Sequence, residues 1–147
     1  EEAMDVARKA VHAFNAYCML CIELFVTKDQ HVLVNELAPR PHNSGHYTIE
    51  GCVTSQYENH IRAILGLPLG STELIRPTVM KNIIGNVNKK AEVHGLEEAY
   101  KYPEVKIHIY GKEECRVGRK MGHITVTDKT IEDALFKARY AHSKIKF

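Results

Sequence analysis

The sequence predicts an α+β fold, and three observations support that prediction. Apolar residues at helical spacing open the chain, two short β-branched runs follow, and a second group of strand patterns ends in another helical pattern. Helices and strands grouped in this way are typical of α+β folds, because doubly wound sheets alternate the two strictly. The 147 residues are enough for one ordinary domain, or for a small domain with an appendage.

The first elements are a helix and a hairpin. Residues 3–14 place Ala and Val at helical spacing up to Phe14, which predicts an amphipathic helix. Residues 19–27 and 32–37 are apolar and partly β-branched, which favours two strands. The polar residues 28–31 separate them. We therefore expect a helix that is followed by a β-hairpin.

A loop and a second helix come next. The loop, residues 38–46, contains two prolines and one glycine, which argues against a helix. Ser55 and Glu58 have the spacing of a capping box, so a helix is expected to begin there, and Gly66 and Pro68 are expected to end it. The apolar stripe predicted for this helix consists of Tyr57, Ile61, Ile64 and Leu65.

The remainder of the chain predicts a smaller β-rich domain after a connector at residues 67–78. The strand patterns are Val79–Val87, Val105–Tyr110 and His123–Thr127. A short helix is expected at Leu96–Tyr100, and Ile131, Leu135 and Ala138 mark a closing helix. We place the domain boundary between residues 76 and 77, which gives domains 1–76 and 77–147.

Composition excludes several classes of protein. A hydrophobic content of 44% and a charged content of 26% are typical of globular proteins, and a net charge of +2 is too small to argue for nucleic acid or an acidic membrane. No apolar run approaches the ~18 residues that a membrane span needs. The chain begins without Met or a signal-peptide core, so we expect a piece of a longer cytoplasmic protein.

The four cysteines predict reduced thiols. Cys18 and Cys21 have C-x-x-C spacing, but a structural zinc site needs a second close pair, and Cys52 and Cys115 are far apart. Scattered cysteines in a chain of ordinary core-forming composition favour a reducing compartment.

Two carboxylates are predicted to face each other on the hairpin. If Asp29 and Gln30 form a two-residue turn, Glu23 lies directly across from Glu36. Like charges there are destabilising unless something offsets them. Mg²⁺ would do so, since it commonly takes one or two carboxylates plus substrate phosphates, and Asn35 adds a neutral oxygen. The alternative is a solvated pair on an exposed face, and a one-residue slip would separate the acids.

The loop after the hairpin is rich in anion-binding and proton-transferring side chains. Arg40 offers a rigid fork of donors, and imidazoles such as His42 and His46 exchange protons near neutral pH. A metal pair that leads into such a loop is typical of phosphoryl chemistry, which depends on positioning and charge neutralisation. The alternative is a polar surface loop.

A second basic segment lies near the C-terminus. It contains Lys112, Arg116, Arg119, Lys120 and His123. A phosphate-anchoring site, a nucleic-acid surface and a solvated turn are the three interpretations. The absence of aromatic residues among these bases weakens the nucleic-acid interpretation, because there is nothing for bases to stack on.

A long run of residues resembles a known family. Residues 34–51 read Val-Asn-Glu-Leu-Ala-Pro-Arg-Pro-His-Asn-Ser-Gly-His-Tyr-Thr-Ile-Glu-Gly, close to the signature of 5-(carboxyamino)imidazole ribonucleotide synthetase, an ATP-grasp enzyme of purine biosynthesis. Residues 54–69 continue the match, and residues 110–112 and 118–123 resemble its C-terminal domain. The resemblance covers nearly the whole chain, and its most specific part is residues 35–69.

The resemblance implies both a fold and an activity. Residues 1–76 would be the C-terminal portion of an ATP-grasp domain, an antiparallel sheet with helices, and residues 77–147 the small β-rich C-terminal domain. The family is a carbon–nitrogen ligase that carboxylates aminoimidazole ribonucleotide with bicarbonate and ATP, through carboxyphosphate. ATP and Mg²⁺ are therefore the expected cofactors.

The resemblance also implies roles for single residues. Glu23 and Glu36 match the Mg²⁺ ligands, and Asn35 together with Glu36 lies at the ATP phosphates. Arg40 and His42 match the catalytic positions that handle the bicarbonate-derived intermediate. Lys112 and Arg119 match the pair that holds the phosphate of the aminoimidazole nucleotide. The remaining substrate-binding positions are Asn43, Ser44, Gly45 and His46.

The chain departs from the family in ways that bear on activity. It lacks the N-terminal domain and the ATP-grasp subdomain that grip the nucleotides, so we expect the fragment alone to be inactive. Cys18 and Cys21 stand where the family usually has glycines. The parent protein is expected to be a homodimer. The sequence is most similar to fungal members of the family, in which a carboxylase or mutase domain follows on the same polypeptide. Neither nucleic acid nor a membrane is an expected partner.

Two alternatives stay open on the sequence. One is another ATP-grasp carboxylase or ligase of purine metabolism, against which the loop at residues 40–46 and the Lys112/Arg119 pair argue. The other is a non-catalytic, diverged ATP-grasp remnant that acts as a binding or structural module.

Overall fold

The chain forms two structural units in the computed structural model, which describes residues 1–147. The first unit contains residues 1–49 and 53–73, and the second contains residues 50–52 and 74–147. The domain boundary after residue 76 stays a prediction. None of the helices combines the length and the apolar character that crossing a bilayer requires.

The first unit holds the predicted helix, hairpin, loop and second helix. Its elements are α1 (Glu2–Phe14), β1 (Cys21–Val26), β2 (Val32–Ala38), a 3₁₀ turn (Asn43–Gly45), α2 (Thr48–Gly51), which runs on into the second unit, and α3 (Gln56–Ile64). Helix α1 ends where Asn15 adopts a left-handed conformation and donates its N–H to the carbonyl of Val11. The predicted helix and hairpin are confirmed, whereas the turn Asn43–Gly45 and α2 were not predicted.

The hairpin has the predicted facing acids but not the predicted turn. Gln30 is left-handed, its N–H bonds to the carbonyl of Thr27, and Thr27 also pairs with His31, so the two-residue turn was wrong. A β-bulge in β2 compensates for the longer turn by inserting one extra residue, Asn35. Glu23 consequently still lies opposite Glu36.

The bulge separates the aliphatic side chains from the acidic ones on the two faces of the hairpin. Because side chains alternate along a strand, one face carries only aliphatic residues: Ile22, Leu24, Val26, Val32, Val34 and Leu37. An unbroken ladder would place Asn35 among them. The bulge instead leaves Asn35 beside the acids on the other face, and α1 packs against the aliphatic face through Ile22.

Helix α3 is capped as predicted, and the side chains that it buries are polar. The Ser55 hydroxyl accepts from the N–H of Glu58, whereas the Glu58 carboxylate binds Arg62 rather than closing the capping box. The helix ends at Leu65, before a left-handed Gly66. Within the unit the buried side chains of α3 are Gln56 and Asn59. The predicted apolar stripe is exposed, and only its first member contacts the loop; its members are Tyr57, Ile61, Ile64 and Leu65.

The second unit is an antiparallel sheet covered by a helix. Its elements are β3 (Thr78–Ile84), β4 (Lys89–Lys90), α4 (Leu96–Ala99), β5 (Val105–Ile109), β6 (Glu114–Cys115), β7 (Lys120–Thr127) and α5 (Ile131–Lys144). The strand order is β3-β7-β5, and β4 pairs with β6 in a separate ribbon. Strand β3 ends earlier than predicted and β7 begins earlier. The ribbon was missed, because two-residue strands leave no periodic pattern.

The core of the second unit lies between the sheet and α5. Thr130 caps α5 by accepting from the N–H of Asp133. Three fully buried alanines allow α5 to approach the sheet closely, and Ile124 and Val126 of β7 lie beneath it with no exposed surface. The whole chain is α+β, as the sequence predicted.

Candidate functional site

The facing acids form the first part of the candidate site. Glu23 and Glu36 are directly opposed across β1 and β2. The bulge brings Asn35 to the same place, and its amide Nδ2 lies 3.4 Å from Glu23 Oε2. The side chain of Glu23 is 45% exposed, so a ligand in solvent can reach it. Three oxygen-bearing side chains therefore converge at the bulge.

This set of donors fits Mg²⁺. No group of three or more His, Cys, Asp or Glu side chains is arranged to hold a metal by itself. Two carboxylates and an amide oxygen match an ion that keeps waters and nucleotide phosphates as its other ligands. The four cysteines are free thiols, and the half-buried Cys21 lies with its Sγ 4.0 Å from Ser44 Oγ.

His42 reaches the acids from the loop. Its Nε2 lies 3.4 Å from Glu23 Oε1. Its Nδ1 accepts a hydrogen bond from the backbone N–H of Ser44 at 3.3 Å and lies 2.9 Å from the Ser44 hydroxyl. Since a backbone N–H only donates, Nδ1 carries the lone pair and the neutral ring carries its proton on Nε2. The imidazole thus aims an N–H at the carboxylate.

The other loop residues surround His42. Arg40 is exposed, and its guanidinium donates to the carbonyl of Pro41 at 3.1 Å. The 3₁₀ turn begins at Asn43 and ends at Gly45. The N–H of Gly45 donates to the carbonyl of His42, and the N–H of His46 donates to the carbonyl of Asn43. The structure therefore brings the loop positions predicted from the sequence into one short segment beside the acids.

Gln56 is a residue of this segment that the sequence reasoning missed. Its side chain is buried, its Oε1 accepts from the N–H of His42 at 2.9 Å, and its Nε2 donates to the carbonyl of His42 at 2.8 Å. The same Nε2 lies 2.9 Å from His46 Nδ1. One signal was available: a proline-rich loop needs partners for its remaining backbone groups, and a polar side chain at a helix N-terminus can supply them.

Gly45 and Tyr57 complete the packing around Gln56. A Cβ on Gly45 would lie 2.5 Å from Gln56 Oε1, so the close approach requires glycine. Tyr57 stacks on His46, and its hydroxyl lies 3.0 Å from His46 Nδ1. Partial desolvation of the hydroxyl raises the pKa of Tyr57, so the phenol stays protonated and can donate.

The predicted phosphate anchors lie in the second unit. Lys112 donates from Nζ to the carbonyl of Lys120 at 2.7 Å, and Arg119 donates to the carbonyl of Glu114 at 3.0 Å. Both cations bind only neutral carbonyls in these contacts. Arg116 instead pairs with the Glu114 carboxylate, and its hydrogen bond lowers the pKa of that group. Positive charge is thus left on Lys112 and Arg119.

A half-buried and a buried histidine, His108 and His123, lie at the strand that precedes Lys112. His108 lies 2.6 Å from the Glu50 carboxylate and stacks on His123 with ring centroids 4.3 Å apart. Tyr110 reaches His123 Nδ1 with its hydroxyl at 2.9 Å. Lys112 Nζ lies 5.8 Å from the centre of the Tyr110 ring. This polar column fixes the end of β5 from which Lys112 extends.

Comparisons with known proteins match the two parts of the chain that carry these residues. An ATP-grasp domain model matches residues 1–57, and a phosphoribosylaminoimidazole carboxylase C-terminal domain model matches residues 78–137. The N5-carboxyaminoimidazole ribonucleotide synthase of Bacillus subtilis is 51% identical over 125 residues, which cover 85% of this chain and 32% of that protein. The chain belongs to the N5-carboxyaminoimidazole ribonucleotide synthase family.

Solved structures of synthases of this family extend the likeness to the fold. The enzyme from Thermotoga maritima has a TM-score of 0.85 and 53% identity, over 97% of this chain and 40% of that one. The synthase from Aspergillus clavatus, solved with ADP and 5-aminoimidazole ribonucleotide, has a TM-score of 0.80 and 41% identity, over 97% of this chain and 39% of that one. The fold is thus that of the end of an ATP-grasp domain followed by the family's C-terminal domain.

The chain spans about a third of the length of the curated synthases that it matches. The residues that the two family models match include the acid pair, the loop, Lys112 and Arg119.

Proposed function

We propose that the chain is part of an ATP-dependent carbon–nitrogen ligase that carboxylates aminoimidazole ribonucleotide with bicarbonate. One observation carries the proposal: His42 and the opposed acids Glu23 and Glu36 meet at a bulge that also presents Asn35. Carboxylates, an amide and an imidazole N–H at one place suit a reaction that consumes a nucleoside triphosphate and passes through an acyl phosphate.

In this proposal Glu23 and Glu36 hold Mg²⁺, and Asn35 together with Glu36 lies against the ATP phosphates. The ion, when bound, neutralises phosphate charge and orients the nucleotide. The support from this chain is the donor set at the bulge, because opposed carboxylates repel each other unless a cation lies between them.

Arg40 and His42 handle the bicarbonate-derived intermediate in this proposal. The exposed guanidinium of Arg40 offers a planar fork that matches carboxylate and phosphate groups. His42 contributes the N–H on Nε2, whose direction is set by the bond from Ser44 to Nδ1. Asn43, Ser44, Gly45 and His46 form the wall of the same substrate pocket.

Lys112 and Arg119 bind the phosphate of aminoimidazole ribonucleotide. The supporting observation is that each cation donates its hydrogen bond to a backbone carbonyl, and that the carboxylate nearest to Arg119, Glu114, is bound by Arg116. A cytoplasmic location, a homodimeric parent protein and a following carboxylase or mutase domain complete the proposal and rest on the family resemblance.

The test is ADP release that depends on both aminoimidazole ribonucleotide and bicarbonate. It is measured on the complete polypeptide that carries this chain and on residues 1–147 alone. We expect activity in the complete polypeptide only. A folded complete polypeptide that releases no substrate-dependent ADP would contradict the proposal and favour a non-catalytic module. Activity in residues 1–147 alone would contradict our expectation that the fragment is inactive.

A further inference from the structure

Gln56 uses its buried amide on the loop rather than on its own helix. It is 7% exposed, and its two polar atoms bind the N–H and the carbonyl of one residue, His42. The N–H of His42 is a donor and its carbonyl an acceptor, so these partners fix which end of the amide is oxygen. Since the amide's orientation is set, its Nε2 also donates to His46 Nδ1, which leaves the proton of a neutral His46 ring on Nε2.

This pair of bonds determines where the His42 ring points. The N–H and carbonyl of His42 flank its Cα, so holding both fixes the backbone and the direction of the Cα–Cβ bond. His42 is thereby held in an extended conformation, with φ −121° and ψ 153°. The bond from Ser44 N–H to Nδ1 then orients the ring, and Nε2 comes to lie 3.4 Å from Glu23 Oε1. Gln56 is thus linked to the acid pair through His42.

We propose that Gln56 is a positioning residue for the carboxylation step, acting through His42. The proposal rests on the proposed function, and it adds a requirement: productive use of the bicarbonate-derived intermediate needs the Gln56 bonds to the His42 backbone. Small displacements of a positioned group cost large factors in rate, and about 1 Å is enough for ~100-fold.

The chain contains a matched control for this proposal. Asn59 lies on the same helix, is 5% exposed, and binds the N–H and carbonyl of Gly70 through its own amide at 2.8 and 3.3 Å. It therefore holds a backbone segment in the same way as Gln56 does. Gly70 belongs to the connector after α3 and not to the loop that carries His42. A purely structural role for Gln56 predicts equal effects at both positions.

The experiment compares Gln56→Met with Asn59→Leu in the complete polypeptide, since each change removes the amide at similar volume. Both variants should lower the melting temperature. We expect Gln56→Met alone to lower kcat about tenfold or more, with the KM for ATP within about twofold. We also expect it to form less carboxylated product per ADP released, measured with isotopically labelled bicarbonate. Equal kinetics and equal product ratios in the two variants would overturn the proposal.

Two further variants keep the test decisive if Gln56→Met does not fold. Gly45→Ala displaces the Gln56 amide while leaving it in the chain, because the added Cβ meets Oε1 at 2.5 Å. Gln56→Glu keeps the acceptor for the His42 N–H and removes the donor to its carbonyl. We expect both variants to form less carboxylated product per ADP released than the wild type, and we expect a smaller decrease for Gln56→Glu than for Gly45→Ala. Wild-type ratios in both would contradict the positioning role.

An NMR measurement separates this proposal from the proposed function. The ring nitrogens of His42, assigned by comparison with His42→Gln, report which nitrogen carries the proton at a fixed pH. We expect their signals to change in Gln56→Met and to stay unchanged in Asn59→Leu. If the wild-type protein releases no substrate-dependent ADP, the proposed function fails while this signature still tests the positioning. An unchanged His42 signature in Gln56→Met would overturn it.

Discussion

Different interactions stabilise the interiors of the two units. The second unit buries a continuous apolar cluster between its sheet and α5. The first unit buries little apolar surface, and three of its four buried non-glycine residues are polar: Thr54, Gln56 and Asn59. Gln56 and Asn59 each bind a loop backbone through both ends of an amide. Apolar burial therefore organises the second unit, whereas hydrogen bonds of fixed direction organise the first.

This difference follows from what each unit carries. Hydrophobic burial is non-directional, so it holds a sheet and a helix together without fixing any side chain by direction. In the proposed function the acid pair and His42 need directions defined to fractions of an ångström, and the buried amide of Gln56 would supply the direction of His42. The apolar residues of α3 consequently lie on the surface of the first unit, where Ile61 is 54% exposed.

The largest expected effect is a loss of stability that compares apolar burial in the two units. Ile124→Ala in the second unit removes a side chain with no exposed surface, so we expect a loss of about 2–5 kcal/mol in the free energy of unfolding. Ile61→Ala in the first unit should change it by less than about 0.5 kcal/mol. Chemical denaturation of residues 1–147 measures both. Similar losses in the two variants would mean that the units do not differ as described.

The next effect concerns the acid pair. Glu36→Ala in the complete polypeptide should lower kcat by about 10²–10³-fold, since it removes a charge that the proposed function places at the reacting phosphate. The melting temperature should hold or rise slightly, because the change relieves repulsion across the hairpin. Steady-state kinetics and thermal melting measure the two quantities, with the exposed Glu73→Ala as control. Wild-type turnover in Glu36→Ala would remove the acid pair from the site.

A smaller effect is expected at the basic anchors of the second unit. Arg119→Ala should raise the KM for aminoimidazole ribonucleotide about tenfold, which is the loss of one charge-assisted hydrogen bond. Arg116→Ala is the matched control, because Arg116 already pairs with Glu114, and its KM should stay near the wild-type value. Initial rates at varied nucleotide concentration measure both. A KM that rises equally in both variants would assign the effect to general charge rather than to Arg119.

The smallest expected effect lies in an ion-pair cluster of the second unit. Lys137 binds Asp128 and Glu104, which raises its pKa to about 12 and lowers the pKa values of both acids. The acids contribute stability that is present above their ordinary pKa values and is lost as the pH falls through the lowered ones. The Lys137 contribution is present below its ordinary pKa of 10.5 and is lost as the pH rises through about 12.

We therefore expect Lys137→Met to lower the melting temperature by a few degrees at pH 7 and by less at about pH 3. Thermal melting of residues 1–147 at both pH values measures it. Lys144→Met is the control, since Lys144 makes a single pair with the exposed Glu98. An equal loss at both pH values would show that packing of the Lys137 stem, rather than its charge, stabilises the unit.

The sequence predicted the fold class, the principal helices and the opposition of Glu23 and Glu36. The opposition was correct although the turn was wrong, because the longer turn and the inserted Asn35 cancel. Hydrophobic periodicity reports elements that bury one face, so it found α5 and β7 and missed the ribbon formed by β4 and β6. It also found the apolar stripe of α3, whose members Ile61, Ile64 and Leu65 are exposed in this chain.

The site was predicted as a set of residue types and not as an arrangement. Arg40, His42 and the acids stand out because their chemistry is unusual at that spacing. Gln56 does not stand out, since glutamine at the start of a helix is ordinary and its function arises only from a fold that brings His42 within 2.9 Å. The proline-rich loop signals that its backbone groups need partners, but it does not indicate which side chain supplies them, which is why Gln56 emerged only from the structure.

The contact between Gly45 and the Gln56 amide has a consequence for sequence variation. The two positions share one volume, so a side chain at position 45 displaces the amide of Gln56 from its present place. Related sequences should therefore change at both positions together or at neither. A homologue with Ala at 45 and Gln at 56 would need a displaced loop, whereas one with a shorter residue at 56 would have lost the bonds to the His42 backbone. Under the proposed positioning role, joint variation at this pair would mark family members that keep the fold without this support for His42.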